Sequence, residues 1–308
     1  MPLRFTIRQL EYFVAVGEAG TITQASEKMH VSPPSISAAI TQLESAFGVT
    51  LFVRQHAHGL SLTQAGKRML TQVKLILYES NHLVDLASDI SGTVRGPLHI
   101  GCLVTFAQLA LPSIRRSFEE AFPSVSITQS ELNQAEIFSA LRLAEIDVAL
   151  TYDLNLPADL VFESLLELPP YVVVSDGHQL ANQETISVKE LIDFPMVLLD
   201  LPFSSEYFIS FFVKLGTKPN ITERTRDMAV MRSLVANGFG YSIANVRPLN
   251  ALSPDGKPLK YIPLSGPVRP MRLGLLMPTD AERPNVVREF VKHCKHQNDI
   301  GKFPKLAG

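Results

Sequence analysis

A chain of 308 residues, 46% apolar and 19% charged, is long enough for more than one core and has the composition of a folded globule. Its formal net charge of -2 offers no chain-wide basic field for a polyanion or an anionic membrane, and no apolar run approaches the roughly 18 residues of a bilayer span. The start, MPLRFTIRQLEYF, lacks the apolar core of a secretory signal and points to a cytoplasmic protein; two cysteines, Cys102 and Cys294, are too few for a disulfide framework and read as reduced structural thiols, with a redox-sensing thiol as the alternative.

In chain order, Ile7, Leu10, Phe13 and Val14 recur at helical intervals up to Gly20, which predicts a first amphipathic helix. Thr21 and Gln24 read as a capping box that opens a short second helix, with Ile22, Ala25 and Met29 turned inward. Ser32 is a good cap for a third helix, because Pro33 and Pro34 sit in its first turn, where a missing N–H costs nothing. Ile36, Ile40, Leu43 and Phe47 then form one apolar stripe that ends at Gly48 and leaves Ser35, Ser37, Ala38, Thr41 and Gln42 facing out. Two helices joined by a tight turn, the second small and polar outside, match the shape that enters a DNA major groove. The next stretch, LFVRQHAHGLSLT, offers two short strands around His56, Ala57, His58 and Gly59, a winged-helix hairpin.

The run from Leu10 to Gly66, with EYFVAVGEAGTITQASEKMHVSPPSISAAITQLESAFGVTLFVRQ and LSLTQAG, resembles the DNA-binding region of LysR-type transcriptional regulators at nearly every position. The resemblance implies a regulator rather than an enzyme, one that binds double-stranded operator DNA under the control of a small organic effector. The residues then expected at DNA are Thr23, Gln24, Ser32, Pro33, Pro34, Ser35, Ser37, Ala38 and Thr41, with Arg54, His56 and His58 of the wing, which also read as ordinary loop residues. One departure matters: relatives often hold Gln and Arg where this chain has Pro33 and Ala38, so hydrogen-bond readout of bases is reduced. Within residues 1–63, Arg4, Arg8, Lys28 and Arg54 are balanced by Glu11, Glu18, Glu27 and Glu44, a net charge of zero. Affinity is therefore expected from helix N-termini aimed at phosphates, hydroxyls of Ser35, Ser37 and Thr41, methyl contact from Ala38, and duplication by dimerisation.

Residues 64–91 read as one long helix. Met69, Val73, Ile76, Ser80, Leu83, Ala87 and Ile90 alternate spacings of 4 and 3, the period of a coiled-coil seam weakened at Ser80. This predicts a homodimer, against the alternative of a helix packed on its own chain; the family resemblance implies tetramers built from dimers. Ser91-Gly92-Thr93 and Gly96-Pro97 read as a flexible break.

Beyond it, LHIGC, VSITQS, IDVALTY, YVVVS, MVLLD, GYSIA, LKYIPL and MRLGLLM read as strands with helices between many of them. The fold class expected is multi-domain α+β: a winged helix-turn-helix over 1–63, a linker helix over 64–91 and an α/β effector-binding domain over 92–308. IGCLVTFAQLALPSIRRSFEEAFPSVSI, LRLAEIDVALTYD and RSLVANGFGYSIAN resemble the effector-binding half of the same family. That half implies a bilobed fold like the type 2 periplasmic binding proteins, with one lobe over about 97–166 and 269–308 and the other over about 167–268.

A ligand in such a fold sits at carboxyl ends of strands, where helix N-termini present free N–H groups. Thr105, Asn133 paired with Glu136, Ser204 and Asp227 fall there, each also readable as a plain N-cap, and Asn245 ends another strand. The resemblance favours Thr105 and Phe106, since relatives hold an effector carboxylate at the start of that helix. Tyr152-Asp153, Asp200 and Asp227 put carboxylates near strand ends, which suggests an amino group on the effector. Phe106, Tyr152, Phe203 and Tyr207 read either as stacking surfaces or as core. Neither cofactor, metal nor catalytic residue is expected. Gly238-Phe239-Gly240 is half of a dinucleotide fingerprint and precedes a strand, and His293 with His296 on the last helix lacks further ligands.

Overall fold

The computed structural model describes residues 4–55, 59–91, 94–279 and 284–304, with the backbone only for residues 54, 55, 81, 82 and 84–91. The chain divides into two compact units, Met1–Gly92 with the short segment Leu143–Glu145, and Thr93–Arg142 with Ile146–Gly308. The residues expected to form the long linker helix are thus grouped with the head.

The first unit contains α1 (Ile7–Ala19), α2 (Ile22–Met29), α3 (Pro33–Phe47), the hairpin β1 (Phe52–Gln55) and β2 (Gly59–Leu62), and α4 (Gln64–Ser91). Leu10, Phe13, Val16, Ala25, Ile36, Ile40, Leu43, Leu51 and Val73 form its core. Ile7, expected inside, is 45% exposed, because the buried stripe of α1 begins one turn later at Leu10. The complete capping box lies at the start of α1 rather than α2: the Thr6 amide donates to Gln9 Oε1 at 2.8 Å, and the Gln9 amide donates back to Thr6 Oγ1 at 3.3 Å. Thr21 accepts from the Gln24 amide at 3.2 Å without the returning bond, so it is a simple cap.

The wing is tied down by its backbone. The Leu60 amide donates to the Gly20 carbonyl at 2.8 Å, and a β-carbon at Gly59 (φ +84°) would lie 2.7 Å from that same oxygen. Thr63 caps α4, accepting from the Gly66 amide at 2.8 Å while its hydroxyl donates to the Thr50 carbonyl at 2.8 Å. A β-carbon at Gly66 would come within 2.1 Å of the Leu51 carbonyl oxygen, so only glycine lets α4 lie this close to the wing.

The second unit runs β3 (Gly96–Leu103), α5 (Val104–Ala121), β4 (Val125–Leu132), α6 (Gln134–Arg142), β5 (Val148–Tyr152), β6 (Leu160–Leu168), β7 (Tyr171–Ser175), β8 (Ile186–Ser187), β9 (Pro195–Leu199), α7 (Ser204–Val213), β10 (Asn220–Thr225), α8 (Met228–Ala236), β11 (Ser242–Ala244), β12 (Leu259–Ser265), β13 (Met271–Pro278) and α9 (Asn285–Asp299). One sheet has the order β4-β3-β5-β13-β6 and another β11-β7-β12-β8, with the parallel pair β9 and β10 bridged to the second through Met196 and Tyr241. The chain passes from the first sheet to the second between β6 and β7 and returns between β12 and β13. Gly96 and Pro97, expected in a flexible break, instead begin β3 and pair with Val125 and Ser126. Among the described residues no helix is long and apolar enough to cross a membrane.

Candidate functional site

In the head, Ser32 accepts from the Ser35 amide at 3.4 Å, and Pro33 and Pro34 fill the first two positions of α3, as the cap spacing predicts. The core stripe of α3 is buried at Ile36, Ile40 and Leu43, and Thr23, Gln24, Ser32, Pro33, Pro34, Ser35, Ala38 and Thr41 are exposed, with Ser37 half-buried. Glu44, the one charged residue of α3, does not point outward. Its Oε1 accepts from the Leu51 amide at 2.7 Å and the Phe52 amide at 3.3 Å, fastening α3 to the wing. The outer face therefore carries no charge at all. Arg54 is described by its backbone alone, and His56 and His58 lie outside the described residues.

Three other cations of this unit, Lys28, Lys74 and Arg8, are engaged locally. Lys28 and Lys74 approach Glu18 at 3.0 and 3.2 Å, and these two ammonium groups outweigh the opposing effect of burial and hold the Glu18 carboxyl below its ordinary range. Arg8 donates to the Tyr12 phenol at 2.8 Å. On α4, Val73 belongs to the head core and Met69 and Leu77 pack against it, whereas Ile76 is 36% and Leu83 70% exposed. The expected seam is thus divided: its first members face their own chain, its next ones face out. Of the Ala87 and Ile90 side chains nothing is described.

In the second unit, a narrow cavity of about 20 Å³ lies where strands and helix starts of the two sheets meet, lined by Thr105, Tyr152, Leu199, Ser204, Phe208, Met228, Ala244, Asn245, Val246 and Met271. It has room for about one water molecule. Thr105 is the second residue of α5, not its cap; the cap position is Leu103, with no capping side chain and no acidic residue in the first turn. That leaves the positive end of α5 uncompensated beside the cavity. Thr105 Oγ1 lies 3.5 Å from the Tyr152 phenol, whose pKa burial pushes up, so it stays a protonated donor. Asn245 donates to the Leu168 carbonyl at 2.6 Å and to Tyr207 Oη at 3.3 Å, while its own Oδ1, buried, has no partner. Burial likewise pushes the Tyr207 phenol up to about 12.

Of the nine residues expected at the effector, four line this cavity and five do not. Phe106 is fully buried and packs edge-on against Tyr152 at 5.4 Å, so it belongs to the core rather than to the cavity wall. Asn133 caps α6, accepting from the amides of Ala135 and Glu136 at 3.0 and 3.1 Å while its own amide donates to Glu136 Oε2 at 2.8 Å. Asp227 caps α8 through Ala229 and Val230 at 2.7 and 3.1 Å. Phe203 holds the cap position of α7 at φ +64° and stacks, tilted, on Phe138 at 5.7 Å; Ser204, expected as the cap, is the first helical residue and buried. Asp153 is enclosed by two arginines, with Arg269 Nη1 at 3.2 Å and Arg272 Nε at 2.8 Å, and also accepts from the Arg272 amide at 2.8 Å. Asp200 pairs with Arg224 at 3.2 Å. Each carboxylate that seemed to oppose an anionic ligand is therefore engaged elsewhere. The apolar wall of Leu199, Phe208, Met228, Val246 and Met271 was not anticipated; it is drawn from the end of β9, the body of α7, the start of α8, the residue after Asn245 and the start of β13, which share no common sequence signal.

Residues 7–67 match the model of bacterial regulatory helix-turn-helix proteins of the lysR family, and residues 91–299 match the LysR substrate binding domain. The chain belongs to the LysR family of DNA-binding transcriptional regulators. Among relatives, it is 30% identical over 244 residues to the HTH-type transcriptional regulator BsdA of Bacillus subtilis, covering 78% of this chain and 83% of BsdA. Among solved structures, HinK, a LysR family regulator from Pseudomonas aeruginosa, is 33% identical with a TM-score of 0.64, covering 96% of this chain and 99% of HinK. Full-length CbnR in complex with its target DNA shares the fold, at 22% identity, a TM-score of 0.67 and coverage of 95% of this chain and 99% of CbnR. For a LysR regulator, the uncharged outer face of α3 is the feature of this chain that most needs explaining.

Proposed function

We propose that this LysR regulator presses α3 into the major groove of operator DNA as a homodimer, and that a small organic acid bearing a hydrogen-bond donor occupies the cleft between its two sheets. The uncapped start of α5, with Thr105 and the protonated Tyr152, is suited to a carboxylate. The observation that carries the effector reading is Asn245, which lines the same cavity and whose buried, unpaired Oδ1 calls for a donor such as an amino or hydroxyl group. The apolar wall opposite suits the hydrocarbon part of the ligand. Asp153, Asp200 and Asp227 are otherwise engaged and do not themselves ask for an amino group.

A dimer is supported by Ile76 and Leu83, exposed at seam spacing on α4, and DNA binding by the fold shared with CbnR, which was solved on its target DNA. Effector closing the cleft would alter how protomers pack and so the spacing of the two heads, which requires only that the ligand favour one arrangement. Such a regulator works in the cytoplasm, beside its DNA.

The test is thermal denaturation of the full-length protein with a panel of small carboxylates, with and without amino or hydroxyl groups. A ligand at 100 times its Kd adds about 2.7 kcal/mol to the folded state. Asn245→Leu should abolish the shift for donor-bearing acids more than for plain ones, and Thr105→Ala should weaken it for both. A panel in which amines without a carboxylate bind best would sink the reading.

A further inference from the structure

α3 carries two stripes of identical spacing. Ile36, Ile40, Leu43 and Phe47 face the core, and Pro34, Ala38, Thr41 and Ser45 lie two residues before each of them. Two residues correspond to about 200° of helical turn, so this second stripe runs along the opposite side, and all four of its residues are exposed.

Most polar groups on or beside that stripe are already engaged. The hydroxyls of Ser32 and Ser35 share a hydrogen bond of 2.8 Å, and the Thr41 hydroxyl donates to the Ser37 carbonyl at 3.0 Å. Gln42 Oε1 accepts from Gln9 at 2.5 Å, and Glu44 is turned to the amides of the wing. Ser37 and Ser45 keep unengaged hydroxyls among the described residues, and the Gln42 side-chain NH2 is likewise unengaged but stands one position to the side of the stripe. What the centre of the face presents is the ring of Pro34, the β-methyl of Ala38 and the γ-methyl of Thr41, since the Thr41 oxygen is held back against its own helix. None of these reaches far, which lets the helix backbone approach the groove floor closely. Among the four bases, thymine is the one that offers a methyl group in the major groove, and apolar contact is how it is recognised.

Resting on the reading of α3 as the DNA-facing helix, we infer that this regulator selects its operator half-sites through thymine 5-methyl groups packed against Pro34, Ala38 and Thr41, in place of hydrogen bonds to purine edges. Specificity then comes from shape and burial. Runs of thymine at fixed spacing are preferred, and guanine under Ala38 earns no bidentate contact because no long donor stands there.

Replacing thymine by uracil removes the methyl and leaves every hydrogen-bonding group in place. Duplexes enriched from a random-sequence pool by the full-length, unaltered protein are resynthesised with uracil at single thymine positions, and binding is measured at one salt concentration. Loss of one contacted methyl weakens binding about fourfold, and paired replacement in both half-sites weakens it by more than about tenfold, with no change at flanking thymines. Ala38→Gly, at an exposed position, removes the protein's own methyl and should bring discrimination at one thymine towards unity. Equal affinity for thymine and uracil duplexes at every position overturns the inference and leaves DNA binding intact. Failure to enrich any duplex overturns the DNA reading itself and the inference with it.

Discussion

Beside the cleft, the Asp153 carboxylate is held from several sides by Arg269 and Arg272. Two guanidinium groups and a backbone amide converge on it, which ties the end of β5 to the segment that returns from the second sheet. Both arginine side chains are 50% exposed and can regain water, so the loss on Asp153→Asn is set by the buried acceptor rather than by stranded cations. The expected cost is about 2 kcal/mol, read as a lower urea midpoint for the second unit, with Arg269→Lys costing less than Arg272→Lys because its bonds are longer. At this scale the sequence was partly legible. Caps such as Ser32 and Asn133 follow from residue type and position. Thr105 and Ser204 do not, because helices that start two residues and one residue earlier move these hydroxyls from cap to cavity wall. Asp153 is illegible in another way: its partners lie 116 and 119 residues along the chain.

At the scale of elements, spacing served best where one face is apolar and the other is not. The three head helices and the long α4 follow from their stripes and stops. β6 was missed for a physical reason: it carries Glu163 and Glu167 among its leucines; β10, read only as the strand end before Asp227, runs Asn-Ile-Thr-Glu-Arg-Thr and is half-buried at every second position at most. Edge strands can be this polar because one face and one flank meet water. The seam of α4 shows the converse error, since a period of 4 and 3 states that a face is covered without saying by what; Val73 is covered by the head itself. Gly66 fixes how closely that helix lies on the wing. Gly66→Ala forces a β-carbon into the Leu51 carbonyl, and the head should lose about 1–3 kcal/mol in its thermal or urea transition, unless α4 pivots away from β1 and β2.

At the scale of the whole molecule, charge is the distinguishing quantity. A net charge of -2 and a head in which basic and acidic residues balance leave few cations to displace counterions from DNA. Binding to the enriched duplex should therefore show a log-log salt slope well below that of a protomer making roughly 6 to 10 phosphate contacts, and a slope of that size would contradict the neutral-head reading. Division into a DNA-facing head and an α/β half was legible because both halves carry their own motifs; the fit of the cleft was not, since its walls come from strands and helices scattered between Thr105 and Met271. The cleft also has a temporal consequence. With about 20 Å³ of room, against the roughly 300 Å³ or more of an ordinary small-molecule site, the sheets would have to part before a ligand of that size entered. Binding there would then be limited by how often the cleft opens, and past a certain concentration adding more ligand would bring no quicker occupancy, which stopped-flow mixing would show as a plateau in rate.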